Sequence, residues 1–368
     1  MKYDAIIIGA GLGGLSAGAF IAKAGGKVLV LEKMNAPGGR CRTAELMGMR
    51  FDIGADCFGS RTIATLRELG KGGTVKPIRI SVSASIEGHT LTLPFGPRTI
   101  GELHGLGMGF SEAIKFSFRM ARVRKGSRVK VTSSREHAGR LTQNPRMREL
   151  LCAGSFLSGT DPENLPAYWP GLLAGGTYGY GRPFLPKGGS GRIAEALAEV
   201  IRENGGGIVY NAAPRRVVIK DGAAAGVILD GREMESRAVV SGIGILPTVY
   251  ALAGKEHFPA HYLTTLGYYR EGLASASVFA VMKRPASRNN PAMHAQVPKD
   301  MARTFRALRD GSFPEDGMFV LSMTGAGDAA GRAALRIRFL VPKGLDDKKA
   351  IAAEAEKVVM RADTLVPG

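Results

Sequence analysis

Cysteine, histidine and tryptophan are scarce in this sequence of 368 residues, which contains three cysteines, six histidines and one tryptophan. Cys41, Cys57 and Cys152 have neither metal-ligand nor disulfide spacing, and an odd, sparse set indicates reduced thiols in a cytoplasmic setting. The histidines are scattered, and none forms a metal-binding pair such as H-E-x-x-H. The sequence therefore predicts no metal site and argues against a disulfide scaffold.

Acidic residues are outnumbered by basic residues, 32 to 50, which gives a formal net charge of +18. Part of this excess lies in the stretch 115–148, and nucleic acid, an anionic membrane surface and an acidic ligand are the three partners that could explain it. No zinc finger, RNA-recognition signature or basic–aromatic repeat accompanies the charge, so no nucleic acid is expected. The basic residues of the stretch are Lys115, Arg119, Arg122, Arg124, Lys125, Arg128, Lys130, Arg135, Arg140, Arg146 and Arg148.

Apolar residues interleave with the first of these basic residues, which is typical of a helix that lies on a membrane surface. The interleaved residues are Phe110, Ile114, Phe116, Phe118 and Met120. Two alternatives stay open for the stretch: a solvated basic face and a peripheral contact with an anionic membrane.

The overall composition is that of a globular protein, because 45% of the residues are apolar and 22% are charged. The chain is long enough for two domains with substantial cores. Its 51 glycines fit many tight turns and close backbone approaches.

A glycine-rich loop, Gly9-Ala10-Gly11-Leu12-Gly13-Gly14, follows the apolar strand Tyr3–Ile8. A second apolar run, Val28–Leu31, ends at Glu32. This order is the opening of a dinucleotide-binding βαβ unit, in which phosphates meet the free N–H groups and the positive dipole end of the helix.

Each residue type in this unit has a physical reason. Gly9 permits the tight turn out of the strand, Gly11 lets the backbone approach a pyrophosphate, and Gly14 lets the helix pack close to the sheet. Glu32 stands where an acid accepts hydrogen bonds from a ribose, and its charge disfavours a 2′-phosphate. The sequence therefore predicts that this loop and Glu32 bind a dinucleotide.

Two other interpretations of this segment are weaker. Ala5–Ala22 is uncharged and about long enough to span a bilayer, and Lys2 in front of it could act as the basic end of a signal peptide. The glycine load and the change from a strand pattern to a helix pattern argue against both. Gly14–Gly18 matches a hydrolase nucleophile elbow, but Ser16 is predicted inside the helix and not on the sharp turn after the strand.

The remainder of the first half predicts small elements in sequence. Met49–Ala55 is expected to be a short strand that ends in a turn, and Arg61–Leu69 a helix. Alternation over 76–95, from Ile78 to Val82 and again near Leu93, predicts antiparallel strands. Residues 100–155 are expected to be mostly helical, and 159–186 to form a loop.

A second ordered block begins at Pro186, where Lys187-Gly188-Gly189-Ser190-Gly191 precedes an amphipathic helix, Ile193–Glu203. The predicted strands that follow are Ile208–Tyr210, Val217–Ile219, Ala225–Leu229 and a buried strand at Ala238–Gly242 that ends in small residues. Residues 246–345 mix strands and loops, and a helix over Asp347–Arg361 closes the chain.

The order of these motifs resembles the phytoene desaturase and retinol saturase-like flavoproteins, within the wider amine-oxidase-type FAD superfamily. The motifs that carry the resemblance are Gly9–Gly14, Glu32, Gly38-Gly39-Arg40, Asp52-x-Gly54, the block Pro186–Arg192 with its helix, and Val239-Val240-Ser241. The resemblance covers most of residues 1–245 and implies FAD and not NAD as the cofactor.

The resemblance also implies roles for single residues. Gly38, Gly39 and Arg40 supply a second backbone approach and a guanidinium that reaches the FAD pyrophosphate, and Arg42 helps to orient the cofactor. The other residues that we expect at the cofactor are Gly13, Lys33 beside Glu32, Gly54 beside the flavin ring, and Pro214 in a segment, Asn211–Val217, that lies against the adenine. The family often has valine where Pro214 stands, and proline removes the N–H donor.

One departure concerns the end of the chain. Members of the family end with a strand–helix segment that carries a glycine-rich motif under the flavin, whereas this sequence stops at Gly368, just after the predicted helix. We therefore expect a partly uncovered flavin, and weak flavin binding and activity, in the chain as given.

The expected fold is α/β: a discontinuous, Rossmann-like FAD-binding domain with a parallel sheet, and an inserted α+β substrate domain on an antiparallel sheet. The predicted boundaries are 1–75 and 186–245 for the first domain, 76–185 and 246–345 for the second, and 346–368 for a C-terminal helix.

The resemblance implies an FAD-dependent oxidoreductase that acts on carbon–carbon bonds of an apolar, isoprenoid-type substrate. The sparse cysteines and the basic stretch predict a location in the cytoplasm or peripherally at the membrane. The cofactor then carries the chemistry, which fits the lack of an acid–base dyad, and no catalytic side chain is predicted. Two alternatives stay open: amine or protoporphyrinogen-type oxidation on the same fold, and a non-catalytic flavoprotein-like module. The sequence does not indicate an oligomeric state.

Overall fold

The computed structural model describes residues 2–55, 57–93, 95–123, 132–166, 183–282, 292–324 and 332–365. The strands in chain order are β1 (Tyr3–Ile8), β2 (Val28–Leu31), β3 (Thr43–Leu46), β4 (Met49–Asp52), β5 (Pro77–Arg79), β6 (Val82–Ile86), β7 (His89–Leu93), β8 (Phe184–Pro186), β9 (Gly207–Val209), β10 (Arg216–Lys220), β11 (Ala223–Leu229), β12 (Arg232–Ser241), β13 (Ser275–Met282), β14 (Met293–Gln296), β15 (Phe319–Thr324) and β16 (Ala333–Leu340).

Helices alternate with these strands or form a separate layer. The α-helices are α1 (Leu12–Lys23), α2 (Ser60–Glu68), α3 (Thr99–Gly105), α4 (Phe110–Val123), α5 (Ser134–Leu141), α6 (Pro145–Leu151), α7 (Ser155–Ser158), α8 (Gly191–Glu203), α9 (Ala260–Leu266), α10 (Met301–Arg309) and α11 (Lys348–Asp363). Pro247–Ala253 forms a π-helix, and Lys255–His257 forms a 3-10 turn.

The first sheet has the strand order β10-β11-β12-β1-β2-β9. The strands β12, β1, β2 and β9 run parallel, whereas β10, β11 and β12 form an antiparallel meander. Helices α1 and α8 cover one face, where Leu15 and Ile201 pack with Ile7 of β1. The predicted Rossmann-like unit is therefore confirmed, on a sheet that is mixed and not wholly parallel.

A strand is present at the predicted position, where β12 ends at Ser241, but the prediction that it is buried is wrong. Ala238 is exposed, and Val239 and Val240 are only half-buried. In the described part of the chain, β11 pairs with the first half of β12 only, so the second half has β1 as its one strand neighbour. An edge position leaves one side of a strand open to solvent, which explains the exposure.

The second sheet has the order β13-β16-β15-β14-β6-β7 and is antiparallel except for the pair β6 and β14. Residues of α3 to α7 and α10 build a core on one face, with Phe116 and Phe305 fully buried. Val358 of α11 packs on the other face against Phe319 and Ile337. The predicted second unit on a largely antiparallel sheet is confirmed, while the predicted domain boundaries stay predictions.

Two predicted elements differ in detail. The predicted strand from Ile78 to Val82 is divided, because β5 pairs with β8 in a small separate sheet while β6 joins the second sheet. Residues 184–186, predicted as loop, therefore form a strand, and most of the rest of that predicted loop, 167–182, lies outside the described residues. The predicted helices near Arg61, over 100–155, near Ile193 and near Asp347 are present wherever the structure describes these ranges.

The segment Ala5–Ala22 forms β1 and the greater part of α1 instead of one continuous helix, and Ser16 lies within α1 as predicted. Among the residues that the structure describes, no helix combines the length and the apolar character needed to cross a membrane.

Candidate functional site

The glycine loop after β1 is closely packed against the end of β12. Gly9 has a φ of +93°, which favours glycine. A Cβ atom on Gly14 would lie 2.1 Å from the carbonyl oxygen of Gly9, so glycine is required there for α1 to approach the strand. A Cβ on Gly242 would lie 3.0 Å from the Cα of Gly14. Gly242 is thus a third part of this contact that the sequence interpretation missed, although the small residues that end this strand were a signal.

Gly11 and Gly13 differ, because nothing in the described protein requires them to be glycine. A Cβ on Gly11 would have its nearest neighbour, the Gly242 carbonyl oxygen, at 4.0 Å, and a Cβ on Gly13 would have nothing within 4 Å. Gly11 is the N-cap of α1, no side chain caps the helix, and its first turn contains no acid. Open space in front of uncapped N–H groups fits the approach of a phosphate group.

A second glycine turn meets the first. Gly38 and Gly39 have φ values of +117° and +55°. The Gly38 N–H donates to the Ala10 carbonyl oxygen at 2.8 Å, and a Cβ on Gly39 would lie 3.3 Å from the Cα of Gly11. The two glycine segments, which are separated by β2 and most of α1 in the sequence, therefore form one continuous backbone surface.

Arg40 follows this turn and has an exposed side chain, while Arg42 is half-buried. The hydrogen bonds and ion pairs of the described residues include none from either guanidinium, which leaves both available to an anionic group. A Cβ on Gly54 would lie 1.8 Å from the Arg40 carbonyl oxygen. Gly54 is therefore needed for packing against the Arg40 backbone, and its predicted place beside a flavin ring stays a prediction.

Glu32 is buried, and both of its carboxylate oxygens accept backbone hydrogen bonds. Oε2 accepts from the Ala10 N–H at 2.6 Å, and Oε1 accepts from the Met34 N–H at 2.8 Å. The carboxylate thus fixes the glycine loop to the end of β2, a role that the sequence interpretation did not include. Lys33 beside it is exposed. Each carboxylate oxygen has a further lone pair, so a hydrogen bond from a ribose remains compatible with this geometry.

Pro214 is buried. The Ala212 N–H donates to the Glu32 carbonyl oxygen at 2.8 Å, and the Arg215 N–H donates to the Ile228 carbonyl oxygen at 2.7 Å. The segment around Pro214 is therefore anchored on both sides without an N–H group at the proline itself. The contact of this segment with an adenine stays a prediction.

Asp52 organises a buried polar cluster between β4 and the turn before α8. Its Oδ1 accepts from the Thr43 hydroxyl and from the Ser190 N–H, each at 2.7 Å, and the Thr43 hydroxyl oxygen accepts from the Gly191 N–H at 2.9 Å. The Cys41 thiol donates to the Ser190 carbonyl oxygen at 3.4 Å, and burial raises the pKa of Cys41 to about 12. This thiol is therefore structural rather than reactive.

Arg336 of β16 joins the second sheet to this cluster. Its buried Nη1 donates to the Asp52 carbonyl oxygen at 2.8 Å and to the Gly54 carbonyl oxygen, and its Nε donates to the Ser277 hydroxyl at 3.1 Å. The guanidinium also lies 5.8 Å from the ring centroid of Phe279. Sequence analysis missed Arg336, because the two carbonyl groups that it binds lie more than 250 positions away in the chain.

An apolar cavity lies between the second sheet and the helix layer of the same unit. The cavity is small, with a volume of about 60 Å³, and it opens to solvent on one side. Side chains of β6, β7, β14 and β15 form its floor, and residues of α4, α6 and α7 form its walls. Phe156 of the wall lies under the guanidinium of Arg338, at 5.7 Å, and Arg338 stands two residues from Arg336 on the same strand. The cavity is thus connected through β16 to the Gly54 turn.

His294 of β14 is half-buried beside Ser83 of β6. Its Nδ1 lies 2.5 Å from the Ser83 hydroxyl, and its Nε2 is buried with no hydrogen-bond partner in the described part of the chain. Burial lowers the pKa of His294 to about 4, so the ring is neutral at physiological pH.

Comparisons with known proteins agree with this geometry. Residues 7–69 match the family model of an NAD(P)-binding Rossmann-like domain. All-trans-retinol 13,14-reductase from Danio rerio is 27% identical over 315 residues, which are 69% of this chain and 49% of that protein. The zeta-carotene-forming phytoene desaturase of Myxococcus xanthus is 26% identical over 389 residues, covering 92% of this chain and 72% of that protein.

Solved structures show the same fold at lower identity. An oxidoreductase from Methanosarcina mazei has a TM-score of 0.77 at 19% identity and covers 100% of this chain and 85% of its own. A putrescine oxidase has a TM-score of 0.68 at 16% identity and covers 97% of this chain and 81% of its own. The chain is therefore similar in sequence to a retinol reductase and a phytoene desaturase, and it shares its fold with these two solved structures. The chain spans about half the length of the retinol reductase it matches.

Proposed function

We propose that this chain forms the dinucleotide-binding and substrate-binding parts of an FAD-dependent oxidoreductase that acts on carbon–carbon bonds of an apolar, isoprenoid-type molecule. The observation that carries the proposal is the apolar cavity linked through β16 to the double glycine surface. The names of the relatives, a retinol reductase and a phytoene desaturase, support the same class of substrate.

The residues fit a dinucleotide. Gly11 and Gly13 leave open space at the N-terminus of α1, Gly39 extends that surface, and Arg40 is available to balance pyrophosphate charge. Glu32 holds the loop and retains lone pairs for a ribose. FAD, when bound, supplies the exchange of a hydride at the flavin ring, and the protein supplies position and electrostatics.

The lining of the cavity suits an apolar group. Among the described residues that line it, Ser83 is the one with a side-chain hydroxyl, and the others are aliphatic, thioether or aromatic. An alkylammonium would lose its hydration there without gaining an acceptor of comparable strength, which disfavours the alternative of amine oxidation. A polyene has no charged group to dehydrate, and burial of its apolar surface is favourable.

Titration of the purified chain with FAD and with NAD, followed by ligand fluorescence quenching, tests the cofactor. The expected result is saturable FAD binding and no NAD binding at the same concentrations. Anaerobic bleaching of the bound flavin by candidate isoprenoids then tests the substrate class. Saturable binding of NAD without FAD contradicts the cofactor proposal.

FAD binding without bleaching or re-oxidation by any isoprenoid favours the non-catalytic alternative. A variant with Ala84→Trp, which fills the cavity from its floor, serves as a matched control. It should retain FAD affinity and lose the effect of the isoprenoid.

A further inference from the structure

Helix α4 exposes two aromatic side chains on one face. Phe110 and Phe118 are each 68% exposed, and half-buried Ile114 stands between them. Their spacing of four residues places all three on one side of the helix. Solvent exposure of two phenylalanines in one stripe is unfavourable unless another apolar phase covers them.

Basic residues flank this stripe. Lys115 is exposed one position after Ile114. Arg119, one position after Phe118, is also exposed, and its Nη1 donates to the Leu141 carbonyl oxygen at 2.9 Å. The acid of this helix, Glu112, is half-buried, and its carboxylate accepts from the Thr142 hydroxyl at 3.3 Å. The exposed face therefore combines apolar rings with positive charge, on a chain whose net charge is +18.

The opposite face of α4 belongs to the apolar cavity unit. Phe116 and Met120 are buried there, Met120 lines the cavity, and the ring of Phe116 lies 6.5 Å from that of Phe95. A second wall residue of the cavity, Leu157 of α7, is 53% exposed and marks its open side. The helix thus separates an apolar interior from an apolar and basic exterior.

We propose that the exposed face of α4 is a docking surface for an anionic lipid bilayer, in which Phe110 and Phe118 enter the headgroup region and Lys115 and Arg119 meet the lipid phosphates. Charge complementarity favours a bilayer over a second copy, because two copies of a chain with this net charge repel each other. Exposed rings in one stripe favour lipid over nucleic acid, for which no recognition motif is present. The surface needs no bound cofactor, so this proposal is independent of the proposed activity.

Co-sedimentation of the full chain with vesicles tests the proposal. Vesicles of phosphatidylcholine alone are compared with vesicles that contain phosphatidylglycerol, at low and high salt. The chain should bind the anionic vesicles and not the neutral ones, and high salt should reduce binding. Lys115→Gln should weaken binding about fivefold, and the double variant Phe110→Ser/Phe118→Ser at least about tenfold.

Matched controls lie on α11, where Lys348 and Met360 are also exposed. Lys348→Gln and Met360→Ser should leave vesicle binding unchanged, and thermal melting should show that all variants are folded. Equal binding to neutral and anionic vesicles, no binding at all, or equal losses in the α11 controls overturn the proposal. Oligonucleotide binding or dimer formation that the α4 variants abolish, without vesicle binding by the wild type, identifies another occupant and overturns it as well.

Discussion

Alanine substitution at Gly11, Gly13 and Gly14 separates the packing role of the glycine loop from its ligand role. At Gly14 the new Cβ would lie 2.1 Å from the Gly9 carbonyl oxygen, so the backbone of β1 or α1 must move. Overpacking of this kind costs about 2–3 kcal/mol, which lowers the melting temperature by about 5–10 °C for units of this size. At Gly13 nothing lies within 4 Å, and alanine should stabilise α1 by up to about 1 kcal/mol.

At Gly11 the new Cβ has open space in the protein, and the φ of −71° is compatible with alanine. Gly11→Ala should therefore melt within about 1 kcal/mol of the wild type, because only the N-cap preference changes. Its methyl group occupies the space in front of the helix N-terminus, so FAD affinity should fall by at least about tenfold. Melting curves without ligand and FAD titrations measure both effects. Wild-type FAD affinity in Gly11→Ala, or wild-type melting in Gly14→Ala, would refute the reasoning.

Three further predictions concern buried groups. Glu32→Ala leaves the Ala10 and Met34 N–H groups without their acceptor and should cost about 2–4 kcal/mol in melts without ligand, whereas Lys33→Ala next to it should cost less than about 0.5 kcal/mol. Because the folded-state pKa of His294 is about 4 and the unfolded value about 6.5, the unfolded state binds more protons between these values, and stability should fall as pH falls from 6.5 to 4. His294→Gln should remove roughly 3 kcal/mol of this pH dependence, measured as the free energy of unfolding by chemical denaturation. If this free energy changed with pH in the same way in the variant and the wild type, His294 would not be its cause. Arg336→Met should lower both the melting temperature and the FAD affinity. Arg336→Lys should restore neither fully, because a lysine cannot make the same set of hydrogen bonds. Unchanged FAD affinity in Arg336→Met would show that this residue does not support the cofactor site.

The local parts of the fold could be predicted because their causes are local. The turn at Gly9 and the close approach at Gly14 follow from residues within six positions of each other. Helix α8 follows from its own apolar periodicity, and its buried side includes Ile193, Leu197 and Ile201. The predicted approach of a pyrophosphate to Gly11 stays a prediction, and the open space at Gly11 is compatible with it.

Interactions over long sequence separations could not be predicted in the same way. The exposure of Ala238 depends on which strand lies next to β12, and a run of small and branched residues does not encode its neighbours. The division between β5 and β6 depends on β8, more than 90 positions away. The two hydrogen bonds that the Glu32 carboxylate accepts depend on the directions of the Ala10 and Met34 N–H groups, which the sequence does not encode locally.

Strand β4 connects the parts of the candidate site through one residue. The carboxylate of Asp52 holds the turn before α8, while its carbonyl oxygen accepts from Arg336 of the cavity sheet. The next turn contains Gly54, which packs on the Arg40 backbone and thereby on the second glycine turn. Backbone contacts and one buried guanidinium therefore hold the cavity and the glycine loops at a fixed position relative to each other. This is the arrangement expected where a cofactor carries the chemistry and the protein contributes a fixed distance between two binding surfaces.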